Sequence, residues 1–280
     1  MIVATINQGL LWAILGLGIF MTFRILNFPD MTTEGSFPLG GAVAVTLITQ
    51  GVNPILATIV AFLAGCAAGL VTGLLYTKGK IPTLLAGILV MTSCHSIMLM
   101  IMGRANLGLL GADKLKSTGV SVLAVGLVLA ILFYFLTTNL GQAFIATGDN
   151  ADMAQSFGIN TGRMELLGLV VSNGIIALSG ALISQNDGYA DVSKGIGVIV
   201  IGLASIIIGE VFFGNVSMLE RLLAIVIGSV FYQFLILAVI TLGFNTNYLK
   251  LFSAIVLAIC LMIPTIKAKV FKGVRLNANG

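Results

Sequence analysis

Charged side chains are scarce in this sequence. Only 9% of its 280 residues are Asp, Glu, Lys or Arg, whereas 58% are hydrophobic. An ordinary soluble domain is about one quarter charged, so a water-soluble fold of this length could not cover its surface with so few charges. The composition excludes a soluble globular domain and predicts that lipid is the main solvent of the chain.

Catalytic and metal-binding groups are also few. The chain has one histidine, His95, and three cysteines, Cys66, Cys94 and Cys260, whose spacing matches no metal or redox motif. It lacks a Gly-x-Ser-x-Gly nucleophile elbow and the Gly-x4-Gly-Lys-Ser/Thr loop that binds nucleotide phosphates. We therefore expect neither an enzyme nor a metal site. Any ATP that drives this chain must be hydrolysed by another polypeptide.

What the sequence does contain is long uncharged runs, most of them near the roughly 20 residues that span a bilayer. They predict an all-α fold: a single transmembrane domain, residues 1–280, built as a polytopic helix bundle of about nine membrane segments. The second segment is short, which favours a broken or re-entrant helix. The segments are Thr5–Phe23, Ser36–Gln50, Pro54–Thr77, Ile81–Gly103, Gly119–Thr138, Met164–Ser184, Gly195–Gly214, Leu219–Leu242 and Tyr248–Ile266.

Basic residues set the expected orientation. The tail at 267–280 carries four basic residues and no acid, so the positive-inside rule places the C-terminus in the cytoplasm. Counting back through nine segments places the N-terminus outside. The basic loop from Arg104 to Ser117 then falls outside and contradicts the rule locally. No aromatic platform accompanies the tail, so nucleic acid is not an expected partner.

Small residues recur every four positions along the third segment. This spacing lets two helix backbones approach closely in lipid. We expect helix packing here, either within the chain or against a second copy, and chance spacing in a Gly- and Ala-rich chain is the alternative. The residues are Ala57, Ala61, Gly65, Gly69 and Gly73.

Two sets of polar residues are candidates for the substrate path or its gate. One set follows the first segment and consists of Asn27, Asp30, Thr32, Thr33 and Glu34. It predicts a broken-helix gate or an ATPase contact, or else a turn that only caps a helix N-terminus. The other set lies inside membrane segments, where it either lines a water-filled path or bonds neighbouring helices. It consists of Ser93, His95 and Asn173.

A moderately polar stretch, residues 141–163, interrupts the apolar pattern and predicts a short cytoplasmic helix. Asp149 can cap its N-terminus, and Gly158 is a natural stop because glycine accepts the left-handed conformation. Its small apolar face consists of Met153, Ala154 and Phe157. Such a helix can dock in a groove of a partner. A helix lying on the lipid surface is disfavoured, because the polar face lacks basic residues.

Several stretches together resemble a known family. They are Gly141-Gln142-Ala143, Ala146 to Asn150, Met153-Ala154, Gly158-Ile159-Asn160, Asn27 to Gly35 with Leu39 to Ala42, and Gly195-Ile196-Gly197 through Ile206 to Gly209. The chain resembles the permeases of ABC importers, and most closely the branched-chain amino acid and ribose permeases. A further stretch, Ile101 to Asn106 with Leu109-Leu110, resembles the branch whose binding proteins are lipoproteins linked to tryptophan or related aromatic compounds.

The resemblance implies a permease subunit in the plasma membrane of a prokaryote that imports a small solute, an amino acid or aromatic compound such as tryptophan. The implied partners are a second permease chain forming a homodimer, two ABC ATPase subunits, an extracellular substrate-binding lipoprotein and membrane lipid. ATP and Mg²⁺ would be bound by the ATPase, and no cofactor by this chain. The resemblance assigns coupling to the ATPase to Gly148, Asp149, Asn150, Met153, Ala154, Phe157, Gly158 and Ile159.

The alternative function is a secondary carrier or channel that works without an ATPase. Such proteins commonly keep carboxylates in the middle of the membrane. Here the acidic residues fall almost entirely at segment ends or in loops, and Glu210 is the nearest to an exception. Glu210 is also a departure from the family, where glycine is expected.

Overall fold

The computed structural model describes residues 2–109, 118–214 and 217–241, together with the helical positions Leu251, Ile255, Ala258 and Met262. Within these residues the chain is almost wholly helical, as the sequence predicts. The helices are α1 Ile2–Ile19, which continues as a π-helix over Phe20–Ile25, α2 Thr33–Thr49, α3 Pro54–Thr77, α4 Thr83–Met102, α5 Thr118–Thr137, α6 Asn139–Asp149, α7 Ala151–Ser156, α8 Thr161–Asp187, a 3₁₀ turn Val192–Gly195, α9 Val198–Phe213 and α10 Met218–Thr241.

Seven helices among the described residues are long and apolar enough to cross a bilayer. They are α1 with its π-helical extension, α3, α4, α5, α8, the 3₁₀ turn with α9, and α10. The second predicted segment forms α2, a shorter helix of 17 residues. The predicted ninth segment, Tyr248–Ile266, and the basic tail at 267–280 lie outside the described residues except for the four positions named above. The predicted count of nine segments is therefore not confirmed.

The prediction of a purely helical chain missed one short ladder. Strand β1, Asn106–Gly108, pairs antiparallel with β2, Tyr189–Asp191, so that Leu107 lies opposite Ala190. The ladder joins the end of α4 to the end of α8 and defines what we call the hairpin end of the bundle. The opposite end, where α6 and α7 lie, is called the coupling end below.

Helix α8 is the centre of the bundle and packs against α1, α2 and α3. Its contact with α3 depends on the small residues of α3. A Cβ atom at Gly69 would overlap the Leu169 carbonyl oxygen, and one at Gly65 would overlap the Asn173 carbonyl oxygen. The small-residue face of α3 thus lies against a helix of the same chain, and the two backbones touch with no side chain between them.

Helix α2 begins inside the bundle rather than at its end. Its second turn bonds to Asn173, which lies 12 residues into α8, or roughly 18 Å at 1.5 Å per residue. A Cβ at Gly35 would lie 2.8 Å from the Met91 Cα atom, near the middle of α4. Residues 26–32 therefore return from the coupling end into the bundle without helical structure.

A second segment of this kind precedes α9 and enters the bundle from the opposite end. We call residues 26–32 the first return and this segment the second return. In the first return the Thr32 amide donates to the Asp30 carboxylate at 2.9 Å, and in the second the Ser193 amide donates to the Asp191 carboxylate at 2.7 Å. Each Asp turn follows a long helix, α1 or α8, and leads into a shorter one that starts inside the bundle. The two halves thus have inverted topology, the arrangement found in many transporters.

We predict that Gly69→Leu destabilises the protein by about 1–3 kcal/mol, because the larger side chain forces α3 and α8 apart. The measurement is the midpoint of thermal unfolding of the purified protein in detergent. Gly126→Leu in α5 is the control, since an added Cβ there meets nothing within 4 Å. Equal midpoints for the two variants would contradict the close backbone contact.

Candidate translocation and coupling sites

The Asp30 carboxylate is the centre of a buried hydrogen-bond network that joins the first return to α8, α2 and α3. Asn173 Nδ2 donates to Asp30 Oδ2 at 2.7 Å, and Ser36 Oγ donates to Asn173 Oδ1 at 2.6 Å. One turn away, the hydroxyls of Thr32 and Thr72 bond to each other at 2.8 Å. All five side chains are fully buried.

This network determines where the predicted path residues lie. Asp30, Thr32 and Asn173 are brought together, but they bond to one another rather than facing an open cavity. Thr33 is also fully buried, and its hydroxyl has no hydrogen-bond partner among the described residues. In this structure the set holds the re-entrant turn in place.

The sequence reasoning missed two members of the network, Ser36 and Thr72. Thr72 lies beside the small-residue face of α3, between Gly69 and Gly73. A hydroxyl at that position was a usable signal, because a polar group on a close-packed helix face needs a partner on the facing element. Ser36 falls one turn after Thr32 and Thr33, which is the spacing that puts residues on one helix face.

Glu34 connects the two returns to each other. Its Oε1 accepts a hydrogen bond of 3.0 Å from the Gly197 amide, directly before α9. Pro38 has no amide hydrogen to donate to the Glu34 carbonyl, and a Cβ at Gly195 would overlap that same carbonyl oxygen. The starts of α2 and α9 therefore meet inside the bundle.

The predicted path residues of α4 lie apart from this network. Ser93 is exposed and His95 is half-buried, and both bond back to carbonyls of their own helix, at Leu89 and Met91. Helix α4 buries one face against α2, and Thr92, Ser93 and Ser96 lie among the exposed positions of the other faces. The hydroxyls of Thr92 and Ser93 both donate to the Leu89 carbonyl, so this exposed polar stretch has its donors satisfied within α4.

Residues 141–163, called the coupling stretch from here on, contain most of α6 and all of α7. Helix α6 ends at Asp149, so the prediction that Asp149 caps the helix is wrong, and the cap is Asn150, whose side chain accepts from the Met153 amide at 2.9 Å. An Asn side chain reaches the third residue of a helix as an Asp side chain does, so the error is one position. Gly158 has φ +82°, the left-handed conformation that the sequence predicted for the stop.

The coupling stretch packs tightly against the α1 extension and α8. Gly148 lies against the Ile25 carbonyl oxygen with no room for a Cβ, and Asn27 Nδ2 donates to the Gly148 carbonyl at 3.1 Å. Ala154 is fully buried, and Phe144 is buried against Gly168 of α8. Asn27 thus belongs to the coupling end rather than to the buried network.

The outer surface of α7, by contrast, exposes two large apolar side chains beside the polar residues Asp152, Gln155 and Ser156. Met153 is 53% exposed and Phe157 is 76% exposed. Asp149, Asn150 and Gly158 are also exposed, and Ile159 is half-buried. A rigid base with an exposed apolar ridge is suited to docking in a partner's groove.

At the hairpin end, Asp191 bonds to Asn106 across the ladder at 3.0 Å and to Ser193. Partial burial acts to raise the pKa of the Asp191 carboxyl, but the hydrogen bonds from Ser193 and Asn106 outweigh it and lower that pKa. Lys194 pairs with Asp187 and lies 4.4 Å from the centre of the Tyr189 ring. This end is therefore charged and ordered by side-chain bonds.

We predict that Asp30→Asn lowers the unfolding free energy by about 1–3 kcal/mol, because two amide donors then face each other in a buried site. The double variant Asp30→Asn with Asn173→Asp exchanges the partners, keeps a carboxylate to accept from Ser36, and should recover part of the loss, because position 173 no longer donates to the Leu169 carbonyl. Thermal unfolding midpoints of the three proteins in detergent test this. No recovery in the exchange would show that the bond between positions 30 and 173 is not what stabilises the turn.

Comparison with known proteins agrees with this architecture. Tyrosine transport system permease protein of Clostridioides difficile is 44% identical over 261 residues, which are 91% of this chain and 88% of that protein. Ribose import permease protein RbsC of Escherichia coli is 24% identical, over 91% of this chain and 82% of that protein. A chain of the solved structure "PsaBC from Streptococcus pneumoniae in complex with Fab" is 14% identical with a TM-score of 0.55, over 92% of this chain and 88% of that chain, and this likeness shows the fold alone.

The family model described as "Branched-chain amino acid transport system / permease component" matches residues 1–261, which is most of the chain. The described helices, the inverted halves and the apolar composition all suit a membrane transport subunit. The chain therefore belongs to the branched-chain amino acid permease family and is a multi-pass plasma-membrane permease subunit of an ABC transporter.

Proposed function

We propose that this chain forms the homodimeric permease of an importer for an aromatic amino acid, driven by a separate ATPase that docks on α7. The observation that carries the proposal is the coupling end. Met153 and Phe157 are exposed there on and just after α7, which directly follows α6, and α6 packs against the α1 extension and α8. An exposed apolar ridge on a rigid base both binds a partner and transmits its movement.

The substrate class is supported by the relative at 44% identity, which is named as a tyrosine transport permease. It agrees with the aromatic-compound branch that the stretch around Gly103 resembles. An extracellular binding protein would deliver the solute at the hairpin end, where Arg104 and Tyr189 are exposed.

The homodimer is supported by α4. Thr92, Ser93 and Ser96 form an exposed polar patch on α4, and a second copy facing that patch would enclose a polar path between the two chains. Ser93 would then line that path, and His95 would lie beside it. The buried Asp30 network would hold each half of the path in shape without touching the solute.

The orientation is supported by the basic residues. Those that flank helices at the coupling end are Arg24, Lys78, Lys80, Arg163 and Arg221, whereas Arg104 and Lys194 lie at the hairpin end. The positive-inside rule then makes the coupling end cytoplasmic. ATP and Mg²⁺ would be bound there by the ATPase, since this sequence lacks the phosphate-binding loop, and the C-terminus would lie on the same side.

We predict that Phe157→Asp abolishes stable association with the ATPase. The permease is co-expressed with candidate ATPases from its own genome, purified through a tag and assayed in nanodiscs for bound ATPase. Gln155→Asp is the control, because it adds the same charge on the other side of α7. A chain that never retains an ATPase, with that ATPase present and folded, would favour the carrier or channel function, to be followed by ion-gradient flux assays.

We also predict that Gly158→Val uncouples ATP hydrolysis from transport while the chain still inserts into the membrane. A β-branched residue is strained at φ +82°, although an added Cβ would meet nothing within 4 Å. Gly158→Asn is the matched control, because asparagine accepts this conformation. Solute transported per ATP hydrolysed in proteoliposomes should fall in the valine variant alone, and equal ratios would place the coupling function elsewhere.

A further inference from the structure

A cavity of about 400 Å³ lies towards the coupling end, between the end of the α1 extension and the second half of α9. One wall is an ion pair, in which Arg24 Nε lies 2.7 Å from Glu210 Oε1. The remaining wall is apolar and includes Phe23, Leu203 and Val211. The cavity thus combines both signs of charge with an apolar surface, within the volume range typical of small-molecule sites.

The ion pair leaves most of its bonding capacity unused. A guanidinium carries five N–H donors and a carboxylate has about four acceptor sites. Among the described residues, Arg24 and Glu210 share a single hydrogen bond and have no other partner. The Arg24 side chain is 55% exposed and the Glu210 side chain is 24% exposed, so each can bind a further group of opposite charge.

Helix stability does not account for Glu210. It lies three residues before the end of α9, where the negative end of the helix dipole disfavours a carboxylate. It is also the acidic residue of an otherwise apolar helix. A partly exposed ion pair stabilises a protein by only about 0–1 kcal/mol, which scarcely offsets that placement. The carboxylate is more simply explained by a ligand that needs it.

We propose that this cavity binds a zwitterion with an apolar tail. The acidic group of the ligand bonds to the free N–H groups of Arg24, its ammonium bonds to the free oxygen of Glu210, and the tail lies against Phe23, Leu203 and Val211. Two sources carry this chemistry: a free aromatic amino acid, and the headgroup and acyl chain of phosphatidylethanolamine. The first source rests on the proposed function and the second does not.

The position of the cavity gives the occupant access to the coupling mechanism. The same turn of chain that carries Arg24 continues to Ile25 and Asn27, which hold Gly148. A ligand inserted beside the Arg24–Glu210 pair therefore lies between α9 and the segment on which the coupling stretch rests. Binding would be sensitive to any movement of that segment.

The test uses the permease with its ATPase in nanodiscs of phosphatidylcholine. The photoreactive amino acid para-benzoyl-L-phenylalanine is cross-linked and its attachment site is mapped by mass spectrometry. We expect labelling at residues of the cavity wall. L-phenylalanine should block it, whereas phenethylamine, which lacks the carboxylate, and hydrocinnamate, which lacks the amine, should block it at least about tenfold less well, because each loses one charged hydrogen bond.

Variants test whether labelling depends on the Arg24–Glu210 pair itself. Glu210→Gln and Arg24→Gln should each weaken labelling about tenfold or more. Asp187→Asn is the matched control, since it removes the ion pair at the hairpin end and should leave labelling unchanged. ATPase retained in the same preparations reports on the proposed function separately, so an unaltered permease that keeps its ATPase but is not labelled at the cavity counts against the site alone.

A second arm tests the lipid. Native mass spectrometry is carried out after phosphatidylethanolamine is added to the nanodiscs without amino acid. Retention of that lipid that is lost in Glu210→Gln identifies the lipid as occupant, and blocking by L-phenylalanine in pure phosphatidylcholine identifies the amino acid. If the label does not attach to the cavity wall and the retention of phosphatidylethanolamine does not depend on Glu210, the zwitterion site is overturned.

Discussion

The structure depends on one constraint: backbone that leaves the helical state inside a membrane protein must find its hydrogen-bond partners within the protein. Residues 26–32 are such backbone, and the Asp30 carboxylate fixes them through bonds to the Thr32 amide and the Asn173 side chain. Because this turn is fixed, α2 starts inside the bundle, and the Glu34 side chain reaches the start of α9. The burial of Asn173 in turn requires the small residues that let α3 and α8 touch.

Much of this fold is readable from the sequence, because hydrophobic length is a strong signal. Pro54–Thr77 was predicted to the residue, since Asn53 and Pro54 mark its start and Lys78 follows its end. The two returns were harder to read. Phe28, Asp30 and Thr32 look like a loop in sequence, and only the packing of α2 between α8 and α4 shows that the loop is buried. The short ladder was missed because three residues a strand leave no periodic pattern.

For the candidate sites too, features set by one residue were predictable from the sequence, whereas contacts between distant residues were not. Local chemistry predicted the stop at Gly158, because a left-handed glycine is a property of one residue. Partnerships across the chain, such as Arg24 with Glu210 over 186 positions, leave no local signal. The structure separates the predicted path residues into a buried network around Asp30, a contact of Asn27 with Gly148, and exposed or half-buried positions on α4. Their sequence spacing could not show which of them face one another.

The contact between Gly148 and the Ile25 carbonyl has a mechanical consequence. Side chains that separate two elements can change rotamer and absorb small displacements, whereas two backbones in direct contact cannot. The joint between the coupling stretch and α1 therefore has little compliance. Under the proposed function, such a joint would transmit a small displacement of the docked ATPase to α1 almost undiminished.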